Sequence, residues 1–200
     1  PKLGNLGRSI SKMLITNAIS ETRFRKLNAK RYSRMIVVFI PAAGRSSRMH
    51  GRDKLLEDVD GQPLLRQRAA AALDPGLPVI VALRAVDDAR REALAGLPVK
   101  TLIIPNGGEG LGVTLSIGAQ AIAAMARATG MLILPADMPD IDADDIAIVC
   151  SAFAGNPNCI FRAASDSGTP GHPVIFPRRC FAQLAELRGD DGARDLLKGE

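Results

Sequence analysis

Short apolar runs alternate with stretches of helical periodicity from residue 35 onward. The runs predict strands at residues 35–40, 79–83, 99–104, 131–135, 159–163 and 173–176. Between them, apolar spacing and start signals at Pro63, Asp142 and Pro177 predict helices near residues 63–73, 86–95, 111–127, 142–154, 177–187 and 192–197. Because the runs are continuous in Val, Ile and Leu, they suit strands buried on both faces of a mainly parallel sheet. The pattern therefore predicts a three-layer α/β/α domain.

The positive charge of the chain is concentrated near its beginning. The formal net charge is +5, but residues 1–34 hold nine of the 26 Lys and Arg and only one of the 21 Asp and Glu. The remainder is slightly acidic, which argues against a nucleic-acid-binding face on the folded part. We expect residues 1–34 to be a basic tail or the remnant of an upstream segment; the composition also fits, less well, an organelle transit peptide.

Cysteine and histidine usage argues against a structural zinc site. Cys150, Cys159 and Cys180 form no C-x-x-C pair, and the chain has only two histidines. Reduced thiols of a cytoplasmic protein are the better interpretation. No apolar run approaches the roughly 18 residues of a membrane span. We therefore expect a cytoplasmic protein without a membrane partner.

A small-residue loop rich in cations follows the first predicted strand, at residues 41–54. After such a strand, Ala42, Ala43 and Gly44 leave backbone N–H groups free to point outward, and Arg45, Arg48 and Lys54 add positive charge. The alternative is a plain turn with solvated cations. Three cations with no acid before Asp53 favour phosphate binding.

Asp137 follows the predicted strand at residues 131–135. It should therefore lie at the same carboxyl edge of the sheet as the loop, where ligands of open α/β sheets bind. A carboxylate there suits Mg²⁺ that bridges nucleotide phosphates. The alternative is an ordinary turn before Pro139, and the cationic loop tips the balance toward the metal site.

Two further segments carry candidate chemistry. Residues 107–112 nearly match a dinucleotide-binding fingerprint, but no Asp or Glu occurs between Thr114 and Ala136 to hold a ribose. A glycine-rich helix entry could instead let Gly112 and Ser116 approach a base or ribose. In the segment at 168–176, prolines and glycines fix a turn around His172, which either contacts substrate or is hydrogen-bonded within the turn.

These residues together resemble the nucleotidylyltransferases of molybdenum cofactor biosynthesis, and most closely the CTP:molybdopterin cytidylyltransferase branch. The likeness lies in the loop at 41–54, in Asp137-Met138-Pro139, in Gly171-His172-Pro173-Val174 and in the segment at 189–194. The resemblance implies a Rossmann-like sheet of the nucleotide-diphospho-sugar transferase type for residues 35–200. The family usually has a further strand and acidic segment that this sequence lacks, so we expect either truncation or weakened metal binding.

The resemblance, with the residues above, implies a set of site residues. For catalysis these are Arg48, Lys54 and Asp137, the last also the Mg²⁺ ligand. For nucleotide binding they are Ala42, Ala43, Gly44, Arg45, Ser46, Gly112 and Ser116. For substrate binding they are Gly171, His172, Pro173, Asp190 and Arg194.

The implied reaction is transfer of CMP from CTP to the terminal phosphate of molybdopterin, with release of pyrophosphate. A molybdoenzyme is a further candidate partner. Ala43 stands where guanylyl-transferring relatives tend to have Gly, and its methyl group would crowd a purine more than a pyrimidine. Two alternatives remain: a cytidylyl- or uridylyltransferase acting on a sugar or polyol phosphate, and a non-catalytic chaperone that binds molybdopterin or nucleotide.

Overall fold

The computed structural model describes residues 36–44, 53–105, 110–165 and 167–197. The strands are β1 Ile36–Pro41, β2 Asp58–Val59, β3 Gln62–Pro63, β4 Val79–Arg84, β5 Lys100–Ile104, β6 Gly130–Ile133, β7 Phe161–Ala164 and β8 Pro170–Pro177. The α-helices are α1 Leu64–Leu73, α2 Asp88–Ala93, α3 Leu111–Ala123, α4 Ala143–Gly155 and α5 Phe181–Ala185. Three 3₁₀ turns lie at Lys54–Leu56, Arg178–Cys180 and Asp195–Leu197.

Six strands form one sheet in the order β5-β4-β1-β6-β8-β7. The pairs β5–β4, β4–β1 and β1–β6 are parallel, whereas β8 runs antiparallel to both β6 and β7. The predicted mainly parallel sheet is confirmed. After β1 the chain moves toward β4, and after β6 it moves toward the other side of the sheet. The carboxyl ends of β1 and β6 thus border the switch in strand order, where ligands bind in open α/β sheets.

Alternate residues of β1 enter two different cores, because successive side chains of a strand point to opposite faces. Ile36, Val38 and Ile40 belong to a buried cluster shared with α1 and α4. Val37 and Phe39 belong to a second cluster shared with α3 and α5. The helices therefore cover both faces of the sheet, which confirms the three-layer prediction.

The start of α4 has a local cap, whereas carbonyls at and after the end of α3 are bound by a residue distant in the chain. Asp142 and Asp145 form a reciprocal capping box at the start of α4, as the start signal predicted. The predicted helix at 111–127 is too long, since α3 ends at Ala123, and the Arg178 guanidinium donates to the carbonyls of Ala123, Met125 and Ala128 at 2.9, 3.2 and 2.7 Å. Those carbonyls are thus satisfied without further helix.

Two other predicted helices are shorter than expected. The one at 177–187 is divided into the 3₁₀ turn Arg178–Cys180 and the five-residue α5, and the one at 192–197 is only the turn Asp195–Leu197. A hairpin of β2 and β3 was not predicted. Asp60 and Gly61 form its turn with φ of 54° and 84°, and the Gly61 N–H donates to the Asp58 carboxylate at 3.0 Å.

Some expectations from the sequence fall outside the described residues. These are the basic segment at 1–34 and most of the glycine-rich stretch before α3. Among the residues that the structure does describe, no helix is both long and apolar enough to cross a membrane.

Candidate active site

Lys54 and Asp137 meet at the carboxyl edge of the sheet. Lys54 opens the 3₁₀ turn after the loop that follows β1, and Asp137 follows β6. The Lys54 ammonium nitrogen lies 3.6 Å from the Asp137 carboxylate and 3.4 Å from its backbone carbonyl oxygen. The side chains are 45% and 57% exposed, so both remain open to a ligand. The structure brings together the cation and the carboxylate that the sequence proposed for one site.

Of the loop after β1, the structure describes residues 42–44 and, at its far end, Asp53 and Lys54. Ala42 and Ala43 are each 1% exposed, with their methyl groups in the two cores, and Gly44 is exposed. The Ala43 methyl group therefore points into the protein, and the argument that it crowds a purine loses its basis. Arg45, Ser46 and Arg48 lie outside the described residues. Their predicted roles stay predictions.

A buried arginine that the sequence analysis missed lies beneath this loop. Arg90 of α2 is 2% exposed. Its Nη1 donates to the carbonyls of Ala42 at 2.6 Å and Gly44 at 3.0 Å. Its Nε and Nη2 donate to the two oxygens of Asp53 at 2.6 and 2.9 Å, a bidentate ion pair. Asp53 in turn caps the turn that begins with Lys54, through the Leu55 N–H at 3.1 Å.

A second acid–base contact supports Arg90 from the end of β4. Asp87 is 6% exposed and accepts the Arg84 backbone N–H at 2.8 Å and the Arg84 guanidinium at 2.5 Å. The hydrogen bond between the Arg84 guanidinium and Asp87 raises the pKa of Arg84. Asp87 also lies 3.7 Å from the Arg90 guanidinium. Positive and negative side chains therefore alternate from the end of β4 to the loop, in the order Arg84, Asp87, Arg90 and Asp53.

A second buried arginine, also missed from the sequence, lies beneath the segment after Asp137. Arg68 of α1 is 3% exposed and donates from Nη1 to the carbonyls of Met138, at 3.1 Å, and Ile141. Burial lowers the pKa of Arg68, while Asp140 and other nearby carboxylates oppose that shift. This contact fixes the backbone that follows Asp137.

His172 approaches the same edge from the antiparallel strand β8. Burial lowers the pKa of His172, and the Arg162 guanidinium lowers it further. A hydrogen bond with the backbone of Ile133 and the charge of Asp137 oppose the shift. The histidine thus lies within the field of the Asp137 carboxylate, at the end of β6. Its Nδ1 is buried without a hydrogen-bond partner among the described residues.

Glycines at the start of α3 allow close backbone contact with the segment at 188–191. The Gly112 N–H donates to the Gly189 carbonyl at 2.8 Å. A Cβ on Gly112 would lie 2.5 Å from the Arg188 carbonyl oxygen, and Gly110 has a φ of +105° that favours glycine. These glycines therefore serve packing in this structure, and a role of Gly112 in nucleotide binding stays a prediction.

The other predicted binding residues differ in how far they are buried. Ser116 is 6% exposed and donates to the Ala185 carbonyl at 2.5 Å, so its hydroxyl joins α3 to the end of α5. The Gly171 carbonyl accepts from Arg162 at 2.9 Å. Pro173 is buried, whereas Asp190 and Arg194 are exposed. The predicted binding roles of these residues remain predictions.

Comparisons with known proteins bear on this arrangement. A family model described as a MobA-like NTP transferase domain matches residues 38–200. The purine catabolism protein PucB of Bacillus subtilis (strain 168) is 30% identical over 174 residues, which cover 82% of this chain and 80% of that protein. A molybdenum cofactor guanylyltransferase of Burkholderia vietnamiensis (strain G4 / LMG 22486) is 30% identical over 162 residues, covering 80% and 75%.

Solved structures share the fold. The crystal structure of Rv0371c from Mycobacterium tuberculosis H37Rv has a TM-score of 0.71 and 26% identity, covering 83% of each chain. A second structure of Rv0371c, described as a complex with manganese, has a TM-score of 0.67 and 24% identity, covering 84% of this chain and 83% of that chain.

Proposed function

This chain belongs to the family of MobA-like NTP transferases, and from that premise we propose that it transfers CMP from CTP to the terminal phosphate of molybdopterin. The observation that carries the proposal is the meeting of Lys54 and Asp137 beside the loop at 42–44, with their nearest side-chain atoms 3.6 Å apart. A cation and a carboxylate beside a small-residue loop at one sheet edge suit a nucleoside triphosphate with a divalent metal ion.

The proposed chemistry needs positioning and charge neutralisation more than proton transfer. A phosphate oxygen of the acceptor, already anionic at neutral pH, forms a bond to the α-phosphorus of the nucleotide. The bond from that phosphorus to the oxygen bridging the α- and β-phosphates breaks, and pyrophosphate leaves with its electron pair. Lys54 is placed to neutralise negative charge on the triphosphate, and such preorganised charges supply much of the rate in phosphoryl-type transfers.

Asp137 is the residue that would hold a metal ion. Among the described residues, no group of three or more His, Cys, Asp or Glu side chains could hold an ion. Mg²⁺ in nucleotide sites is held by one or two carboxylates, substrate phosphates and water, so the exposed Asp137 carboxylate fits an ion shared with substrate. When bound, Mg²⁺ would supply charge neutralisation between the phosphates. The manganese complex of Rv0371c supports a divalent ion in a protein of this fold.

Cytosine is proposed as the base from sequence likeness. Because the Ala43 methyl group is buried, the preference for CTP now rests on the resemblance of the segments at 171–174 and 189–194 to the cytidylyltransferase branch. GTP is the second candidate, favoured by the 30% identical guanylyltransferase.

The test measures pyrophosphate release by the purified chain with molybdopterin and each of CTP, GTP, ATP and UTP, with and without Mg²⁺. We expect turnover with CTP that requires Mg²⁺, together with the largest rise in melting temperature for Mg²⁺·CTP. Turnover with GTP alone would show that the base is guanine and not cytosine. Turnover only with sugar or polyol phosphates would replace the acceptor. Nucleotide or pterin binding without pyrophosphate release from any pair would make the protein a non-catalytic binding module.

A further inference from the structure

We propose that Arg90 is the positioning residue of the active site: it aims the backbone of the loop at 42–44 and fixes the start of the turn that carries Lys54. This inference rests on the function proposed above and adds a residue that the chemistry does not itself use. Arg90 is 2% exposed, so it acts on a ligand only through the groups that it holds.

The first of these groups is the loop backbone. Two carbonyl oxygens, those of Ala42 and Gly44, both accept from Nη1 of Arg90, at 2.6 and 3.0 Å. The peptide unit is planar, and its N–H points away from its carbonyl. The Ala42 carbonyl shares its peptide unit with the Ala43 N–H, so drawing that carbonyl toward Arg90 turns the Ala43 N–H away from Arg90. Outward N–H groups in a turn form an anion-binding concavity.

The second group is Asp53, the residue before Lys54. Both of its carboxylate oxygens accept from Arg90, at 2.6 and 2.9 Å, and one also accepts the Leu55 N–H at 3.1 Å. One guanidinium thus fixes the loop on one side and the base of the Lys54 turn on the other. The 3.6 Å approach of Lys54 to Asp137 depends on where that turn lies.

The planar fork of arginine is what makes this possible. Nε and Nη2 face Asp53 while Nη1 faces the loop carbonyls, and Asp87, held by Arg84, lies 3.7 Å from Nη1. Lysine offers one point of charge and cannot serve both sides at once. If Arg90 only filled space, its replacement by lysine would have little effect. If Arg90 orients the loop and Asp53 through its hydrogen bonds, the same replacement should be harmful.

The test compares Arg90→Lys and Asp53→Asn with the wild-type chain in the pyrophosphate-release assay. Misplacement of reacting groups by about 1 Å costs on the order of a hundredfold in rate. We therefore expect kcat/KM for the nucleotide to fall by about ten- to a hundredfold in each variant, with the KM for molybdopterin unchanged. Because both variants break one unit, the double variant should be no slower than Arg90→Lys alone.

Arg66→Lys is the matched control. Arg66 also donates to backbone carbonyls near the end of α2, those of Ala93 and Ala95 at 3.0 and 2.9 Å, without being part of the proposed machinery. Its kcat/KM should match the wild type. The Asp53→Asn variant covers the case in which Arg90→Lys fails to fold, because the Asp53 side chain is 27% exposed and keeps its size.

Two outcomes separate this inference from the proposed function. If the wild type turns over, and both variants keep its kcat/KM while their melting temperatures fall, Arg90 is purely structural and the inference is overturned. If the wild type releases no pyrophosphate, the proposed function fails. The positioning role of Arg90 is then tested by calorimetric titration with Mg²⁺·CTP and Mg²⁺·GTP. Weakened triphosphate binding in Arg90→Lys and Asp53→Asn but not Arg66→Lys then supports the positioning role, and equal or undetectable binding in all four proteins overturns it.

Discussion

The Lys54 ammonium nitrogen lies 3.6 Å from the Asp137 carboxylate, although 83 residues separate the two along the chain. They meet because β1 and β6 are parallel neighbours, with Phe39 paired to Ile133, and both strands end at the same edge. An exposed ion pair of this kind contributes only about 0–1 kcal/mol to stability. Changes to either residue should therefore separate activity from folding.

Lys54→Ala and Asp137→Ala should each slow pyrophosphate release by about a hundredfold or more. Removing one preorganised charge costs on the order of a hundredfold or more in rate, whereas the lost ion pair hardly affects unfolding. The measurements are initial rates and thermal unfolding of both variants. Asp88→Ala, which removes an exposed ion pair with Arg91 on α2, should leave both unchanged. Normal turnover in Lys54→Ala or Asp137→Ala would contradict the assigned roles.

Gly112→Ala should destabilise the protein. Its Cβ would lie 2.5 Å from the Arg188 carbonyl oxygen and 2.8 Å from that of Asp191, and these are backbone atoms that cannot swing aside. Overpacking of this kind typically costs about 1–3 kcal/mol in the free energy of unfolding. Chemical denaturation would measure the loss.

Gly155→Ala provides the opposite case for the same experiment. Nothing lies within 4 Å of a Cβ at this position, which ends α4. Alanine should leave the stability unchanged or raise it by about 0.5–1 kcal/mol through helix propensity. Equal destabilisation by Gly112→Ala and Gly155→Ala would refute the contact with the segment at 188–191 as the cause.

The stability of the protein should decrease as the pH falls below 6.5, the ordinary pKa of histidine. Burial, reinforced by Arg162, lowers the pKa of His172 in the folded chain, so the unfolded chain binds more protons between the folded and unfolded pKa values. Folding is therefore favoured above pH 6.5 and progressively opposed below it. Melting temperatures between pH 5 and 8 should show a flatter dependence for His172→Asn. Parallel curves for both proteins would exclude His172 as the source.

One thiol should react rapidly with Ellman's reagent in the native protein. Burial raises the pKa of Cys150 to about 12, and both Cys150 and Cys180 are 1% exposed. Cys159 is partly exposed and is the expected site of reaction. Cys159→Ser should remove the rapid phase, while guanidinium should expose the two remaining thiols. Rapid reaction of Cys150 under native conditions would contradict its burial.

The strands and the family were readable from the sequence because their signals are local. The predicted strand at 79–83 is apolar without interruption, and the observed strand Val79–Arg84 is longer by one residue. The resemblance to the nucleotidylyltransferases of molybdenum cofactor biosynthesis rested on short contiguous motifs, and membership of the MobA-like family is confirmed. The β2–β3 hairpin, although not predicted, also has a local signal in the dipeptide Asp60-Gly61.

The buried arginines that hold the backbone of the candidate site could not be predicted from local sequence signals. Arg68 and Arg90 lie within helical segments, where arginine is usually solvated, and both are at most 3% exposed. Apart from the nearby Asp87, the groups that Arg90 holds at Asp53 and in the loop lie 37 to 48 residues away along the chain, and no spacing rule connects them. Such contacts depend on how β1 and α2 pack together, which is a tertiary property.

The strand β8 joins stability and chemistry in a single segment of backbone. It enters the sheet at the edge where β6 ends, so the same eight residues supply His172 to that edge and Ile175 and Phe176 to the two cores. A shortened chain that ended after α4 would lose this strand together with the part of the proposed active site that His172 lines. A divided version of the protein would need reassembly of two fragments, and recovery of turnover would then report directly on their association.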